Sequence, residues 1–380
     1  MREVCIIGVG MTPFGRHSEI WVEELGRKAC ETAIRDSGVR REDIQVAYCS
    51  HSFQGRVTGQ RILKDLGLTG MPVINIENAC AGGGTSFHET WMAIAGGVYN
   101  IGIAIGVEKM TKGLIPPNIE DLDGMMGRTY PGRFAMMAQR HMYEYGTTKE
   151  QLALVSVKNH KNGSLNPYAH YQEALSLEEV LNSRMVAEPL TLFQCCPVTD
   201  GAAVAVLCSK DIAKRYHDIP IEIDASVVTS GIYKSIRKGH ISSETELSKR
   251  AAQEAYEMAS LGPEDIDVAE VHDCFSIAEL LHYEELGFCR FGESGKLIEE
   301  GTTCLDGEIP INTSGGLLAK GHPMGATGIA QIVEIVWQLR GQAGKRQVKS
   351  PRVGLTHCVG GATPGIGQGA CSVHILKNRR

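Results

Sequence analysis

The sequence has no C-x-x-C pair, no run of Lys or Arg, and no apolar stretch long enough to cross a bilayer. Each absence excludes a class of protein. Without closely paired cysteines, structural zinc sites and disulfide scaffolds fall away, and twelve cysteines in 380 residues is a low density that suits a reducing cytosol. With a formal net charge of −6 and no basic cluster, there is no footprint for nucleic acid. The longest apolar stretches, such as Ile101 to Val107, fall far short of the roughly 20 residues a membrane helix needs. The opening Met1–Gly10 has an apolar core of signal-peptide size but no small-residue cleavage site after it, so Gly8-Val9-Gly10 reads as part of a buried first strand. The last residues, Leu376 to Arg380, are not a peroxisomal signal, and a cytoplasmic location is expected. What is present, 43% apolar and 22% charged residues, is the composition of an ordinary globular enzyme.

The chain repeats itself. Glu24 to Ala47 aligns without a gap onto Glu246 to Ala269, with Leu25/Leu247, Ala29/Ala251, Ala33/Ala255, Glu42/Glu264, Asp43/Asp265, Ile44/Ile266 and Val46/Val268 among the identities. Each copy reads as an amphipathic helix, a Glu-Asp-Ile turn and a strand, since Leu25, Ala29 and Ala33 recur at spacing four. Each copy continues into a glycine-rich loop that opens a helix, Asn78 to Gly84 in the first and Gly315 to Gly328 in the second. Strands at Ile101–Val107 and Val353–Thr356 follow. Alternating strands and helices predict an α/β protein of two duplicated halves, with mostly parallel sheets covered on both faces. The expected division is 1–110 plus 197–220 for the first half, 111–196 for an inserted lid, and 221–380 for the second half. The insertion carries Pro116-Pro117, many methionines and helix-like segments at Phe134–Tyr145 and Lys149–His160. Its methionines suit either helix packing or an adaptable acyl pocket.

Four strand-end segments carry chemistry. Cys80 lies where a strand gives way to a helix, whose free N–H groups and partial positive charge lower a thiol's pKa. His322, in Gly321-His322-Pro323, suits a general base, Cys358 precedes Val359-Gly360-Gly361, and His272-Asp273-Cys274-Phe275 follows the second repeat. Singly, Cys80 or His322 is as readily a structural residue. Together they converge on one edge, because ligands in open α/β folds bind beyond the carboxyl ends of strands.

These four segments resemble the catalytic loops of the thiolases, in the branch of the sterol-carrier-protein-type and archaeal acetoacetyl-CoA enzymes. The loops are Asn78-Ala79-Cys80-Ala81-Gly82, His272-Asp273-Cys274-Phe275, Asn312 to Gly316 running on to Gly328, and Cys358-Val359-Gly360. The likeness covers essentially the whole chain. One departure is Gly82, where many members have Ser; a small residue is expected to be tolerated.

The resemblance implies a thiolase fold of layered α-β-α-β-α arrangement around two central helices, with five strands in each half. It implies a CoA-dependent acyltransferase that cleaves 3-oxoacyl-CoA or runs the reverse Claisen condensation. Cys80 would carry the acyl group and His322 would take its proton. Cys358 would shuttle a second proton, with Cys274 as competitor. His272 and His322 would hold the enolate oxygen, and the N–H groups of Cys80 and Gly360 would form a second oxyanion hole. CoA and acyl-CoA would be substrates, with no prosthetic group and no metal. Pairing as a homodimer or dimer of dimers through an edge near Pro72–Ile76 is expected, with a small OB-fold zinc-ribbon protein as a further partner. A retro-aldol lyase and a non-catalytic acyl-CoA-binding subunit are the alternatives; intact Cys80, His322 and Cys358 count against both. A carrier-protein-dependent ketosynthase is disfavoured by the Gly-His-Pro and Cys-x-Gly pairing.

Overall fold

In the computed structural model, alternate residues of the first strand serve different cores. Along β1 (Val4–Met11), Cys5 and Ile7 enter one apolar cluster, while Val4, Ile6 and Val9 enter another. Such two-sided burial follows from the twofold period of a strand and explains the near-continuous apolar sequence. The structure describes residues 1–110, 113, 115, 122–233, 244–363 and 367–379; Pro116-Pro117 and the start of the expected insertion lie outside them.

The other strands are β2 (Val46–Ser50), β3 (Val73–Ile76), β4 (Ile101–Glu108), β5 (Met185–Ala187), β6 (Leu190–Thr191), β7 (Gly201–Ser209), β8 (Ile221–Ser230), β9 (Val268–Glu270), β10 (Val353–Thr363) and β11 (Gly367–Lys377). Nine form one sheet in the order β3-β2-β4-β7-β1-β8-β11-β10-β9, and β5 and β6 form a separate hairpin. The order reads the same from both ends once β1 is matched with β8, β2 with β9, β4 with β10 and β7 with β11. The two halves meet where β1 pairs antiparallel with β8 over Cys5–Glu222 and Ile6–Ile221, and the expectation of mostly parallel sheets fails, because β1–β7, β4–β7, β8–β11 and β10–β11 are antiparallel as well, while β2–β3, β2–β4 and β9–β10 are parallel.

The duplicated unit is evident in the helices Val22–Ser37 and Glu244–Ala259, each of 16 residues, and in the short turns Arg41–Asp43 and Pro263–Asp265 that lead into β2 and β9. The halves differ at one edge. Opposite β3, the second half has, among the described residues, a single bridge between Ala269 and Ile311. Pro310 has no N–H to extend a ladder, so its carbonyl accepts from Ala269 and the chain then turns away at Asn312.

Three cores make the layers. One lies outside the first half, under Val22–Ser37; a second lies outside the second half. The third holds Phe87, Trp91 and Ile94 of the helix Gly82–Ala95 against Ile329, Ile332 and Val336 of the helix Met324–Arg340, with β1 residues Val4, Ile6 and Val9. These central helices touch through glycine. A Cβ on Gly328 would lie 2.3 Å from the Gly84 nitrogen, and one on Gly83 would lie 3.0 Å from the Gly325 oxygen. Nothing larger permits that approach.

Between β4 and β7 the chain forms helices Tyr130–Tyr145 and Lys149–Ser164. The first starts four residues earlier than its apolar pattern predicts, because Pro131 is tolerated in a first turn and the Thr129 hydroxyl accepts from Gly132 N–H. The second opens with a Thr148–Gln151 capping box. Both pack onto the second-half core through Phe134, Leu152 and Val155. Met137 and Met142 pack there too, whereas Met125, Met126 and Met136 are exposed.

Candidate active site

Cys80 is presented by a strained turn. β3 ends at Ile76, and Ala79 then takes φ 47°, a left-handed conformation that costs a non-glycine residue roughly 1–2 kcal/mol. The Glu77 carboxylate holds the turn by accepting from Ala79 N–H at 2.7 Å. The helix Gly82–Ala95 begins two residues after Cys80. At Gly82 a Cβ would lie 2.3 Å from Ser50 Oγ, so a larger residue there requires the buried Ser50 hydroxyl to turn aside.

The four loops converge. Cys80 Sγ lies 3.2 Å from His322 Nε2, and His322 Nδ1 lies 2.7 Å from Thr327 Oγ1. Cys358, on β10, donates its thiol to the Cys80 carbonyl at 3.0 Å and lies 3.3 Å from His272 Nδ1. The rings of His272 and His322 meet edge to face, 5.1 Å between centroids. One ligand-type atom from each of Cys80, His272 and His322 lies within 4.8 Å of the others. Gly360 sits against the nucleophile's own backbone: a Cβ there would lie 2.4 Å from the Ala81 nitrogen and 2.8 Å from the Cys80 nitrogen. Cys274 is buried in the second-half core with Phe275 and Phe134, and its carbonyl accepts from Cys196 N–H at 3.0 Å.

The electrostatics overturn one expectation. Desolvation pushes the Cys80 thiol up to about 12, with the Glu108 charge adding to the rise. Burial pushes His322 down to about 3 and His272 well below its usual range. The resting pair is therefore a neutral thiol and a neutral imidazole, not the activated thiolate that a helix N-terminus alone predicts. Cys358 is likewise raised by burial and then by the neighbouring Cys80.

A buried polar framework holds these loops, and it was not foreseen from the sequence. Glu108, at the end of β4, accepts from Ser52 N–H at 2.8 Å, Phe53 N–H at 3.0 Å and Gly325 N–H at 3.1 Å, tying both halves beside Cys80. Asp273 accepts from Leu317 N–H at 2.7 Å and from the Asn159 amide at 2.8 Å. Burial, and then the charge of Glu279, push Asp273 up to about 8. Glu279 in turn accepts from the amides of Asn159 and Asn312 and pairs with Lys158, joining the helix Lys149–Ser164 to the His272 and Asn312 loops. Tyr130, in the first turn of its helix, has its phenol raised chiefly by burial, in a place that both Cys80 and Cys274 reach electrostatically. A second group of ligand type, His282, Glu285 and His357, lies behind β10; there His282 Nδ1 bonds Glu285 at 2.7 Å and His357 Nε2 bonds Ser248 at 3.0 Å.

Two family models account for most of the chain: thiolase, N-terminal domain over residues 4–211 and thiolase C-terminal domain-like over residues 235–372. The chain belongs to the thiolase family. It is 45% identical to an acetyl-CoA acetyltransferase of Methanothermobacter thermautotrophicus over 99% of this chain and all of that one. It is 42% identical to the benzoylsuccinyl-CoA thiolase subunit BbsB of Thauera aromatica, over 95% of each. Human sterol carrier protein 2 matches at 39% identity over 95% of this chain and 70% of that protein. Among solved structures, the Ltp2-ChsH2(DUF35) aldolase is similar over 100% of this chain and 98% of its own, with TM-score 0.87 and 26% identity. This thiolase is an acyltransferase, the activity its relatives' names carry. Among the described residues no helix is long and apolar enough to cross a membrane.

Proposed function

We propose that this thiolase cleaves a 3-oxoacyl-CoA with CoA, or runs the reverse condensation, through an acyl group on Cys80. The observation that carries this reading is the 3.2 Å contact of Cys80 Sγ with His322 Nε2 beside the Gly360 backbone. In the cleavage direction, the Cys80 proton passes to His322 Nε2 as Sγ attacks the 3-oxo carbon. The resulting oxyanion lies between the N–H groups of Cys80 and Gly360. The carbon–carbon bond then breaks, and the released acyl-CoA enolate takes the Cys358 proton. The Cys358 thiolate then takes the thiol proton of CoA as the CoA sulfur attacks the acyl-Cys80 thioester, and His322 returns its proton to Cys80 as that sulfur leaves. At rest the Cys358 proton lies on the Cys80 carbonyl; when the thiol turns instead to His272 Nδ1, the neutral ring carries its proton on Nε2 and becomes a donor to the enolate oxygen. No prosthetic group is called for, since CoA is the acyl carrier.

The contacts of Cys358 with the Cys80 carbonyl and with His272 support it over Cys274 as the second acid. The acyl chain ranges from acetoacetyl to a bulky or aromatic one, as the names of the two archaeal and aromatic-pathway relatives suggest. Intact-mass detection of an adduct on Cys80 after incubation with acyl-CoA tests the mechanism, and a thiolysis panel of short, branched, aromatic and dicarboxylic 3-oxoacyl-CoAs tests the substrate. The solved neighbour being an aldolase favours a retro-aldol lyase as second reading. Full carbon–carbon cleavage by Cys80→Ala would establish that reading instead.

β3 is the last strand of the sheet, with Ile74, Phe53 and Val57 exposed around it, and we place the homodimer contact there. A small OB-fold zinc-ribbon partner is supported by a relative named as a subunit and by the two-component name of the structural neighbour. The twelve free cysteines suit a cytoplasmic location.

A further inference from the structure

We infer that Thr327 is the positioning residue that fixes the tautomer of His322, and thereby leaves Nε2 facing Cys80 as a base. The inference rests on the acyl-Cys80 reading for its consequence and on hydrogen-bond counting for its content. A threonine hydroxyl has one proton to give. Thr327 Oγ1 lies 3.1 Å from the Pro323 carbonyl oxygen, which can only accept and also takes the N–H groups of Ala326 and Thr327, and we assign the hydroxyl proton to it. The same oxygen lies 2.7 Å from His322 Nδ1 and must accept from it. A neutral imidazole has one N–H, so Nε2 is left with its lone pair, 3.2 Å from Cys80 Sγ. The thiol therefore faces a base in the correct form before any substrate binds.

The choice of a hydroxyl has a second effect. Where a histidine base is oriented by a carboxylate, as in the Ser-His-Asp arrangement, the carboxylate also stabilises the imidazolium. Thr327 orients without adding charge. The nearby carboxylate, Glu108, spends its oxygens on Ser52, Phe53, Gln54 and Gly325. Thr327 is fully buried in the first turn of the helix Met324–Arg340, so water does not substitute for it.

Three variants test this: T327V removes the acceptor with little change of shape, T327A removes it with a smaller side chain, and T327S keeps it. Acyl-Cys80 formation is followed by single-turnover mass spectrometry, iodoacetamide alkylation of Cys80 is timed separately, and KM for acyl-CoA is measured. Without the acceptor, the Nε2–H tautomer faces the thiol, and acylation and alkylation should both slow by about ten- to hundredfold, part of the contribution a general base makes. KM should stay within about twofold, and T327S should recover most of both rates. Wild-type rates in folded T327V or T327A overturn the inference. Failure of T327S to recover them, at unchanged melting temperature, also overturns it by assigning the effect to packing of the methyl group. If the wild-type chain forms no Cys80 adduct at all, the acyl-cysteine reading falls, while the alkylation comparison still decides the role of Thr327.

Discussion

Replacing Gly360 by alanine should abolish most turnover while leaving the protein folded. The added Cβ would lie 2.4 Å from the Ala81 nitrogen, 2.5 Å from the Asn78 oxygen and 2.8 Å from the Cys80 nitrogen. All three are backbone atoms, and none can swing aside as a side-chain tip would. To reach ordinary contact, β10 and the Cys80 turn must separate by roughly 1 Å, a misplacement that can cost about a hundredfold in rate. If that movement takes one N–H out of line with the oxyanion, the loss is about 10²–10³ in kcat, or about 2.7–4 kcal/mol of barrier. The fold itself should lose only about 1–3 kcal/mol, as for other overpacked sites. The assay pairs steady-state thiolysis with thermal unfolding and with the mass of acyl-Cys80. A folded Gly360→Ala protein whose turnover stays within threefold of wild type would refute the placement of the oxyanion hole.

Cys358→Ala should still form the Cys80 adduct but lose carbon–carbon turnover, and Cys274→Ala should be the milder change; the reverse outcome in the same mass and turnover assays would exchange their roles. Acid should destabilise the fold from about pH 6.5 downward. Burial holds His322 and His374 at about 3 and His160 at about 4, below the ordinary histidine range. Between these values and 6.5 the unfolded chain binds more protons, so stability is full above 6.5 and falls with pH. The three rings together should cost on the order of 3 kcal/mol from pH 6.5 to 5.5, read as a falling urea midpoint; a constant midpoint would contradict their neutral burial. Ile74→Lys, at the exposed edge of β3, should shift the sedimentation of the native oligomer toward monomer at micromolar concentration, whereas unchanged sedimentation would place the interface elsewhere.

Local pattern made much of this legible. The spacing of Leu25, Ala29 and Ala33 and its echo at Leu247, Ala251 and Ala255 reported two equivalent helices, because both bury the same stripe against a sheet. The glycine-flanked Cys80, His322 and Cys358 were visible because such loops need small residues where backbones crowd. What escaped was set by distant partners. Glu108 and Gly325 are 217 residues apart, and nothing near either one announces the bond between them. Glu279 looks like any helical glutamate until Asn159, Asn312 and Lys158 surround it. The protonation of Cys80 was misjudged because the helix terminus is a local feature, whereas desolvation is a property of the assembled site. Thr327 was within reach: it stands five residues after His322, in the first turn of a helix, where a hydroxyl can fold back on the preceding loop.

The crossing of the two central helices at glycine carries a consequence for how such an enzyme can exist at all. The thiol and the imidazole that must exchange a proton are 242 residues apart and belong to opposite repeats. Neither repeat contains a complete reacting pair, so a single unit would have no chemistry until a second unit docked against it. Duplication within one chain makes that docking permanent. The close glycine contacts at Gly83, Gly84 and Gly328 then act as the gauge that sets how far apart nucleophile and base stand. One methyl group inserted there would lengthen the proton's path without touching either residue that moves it.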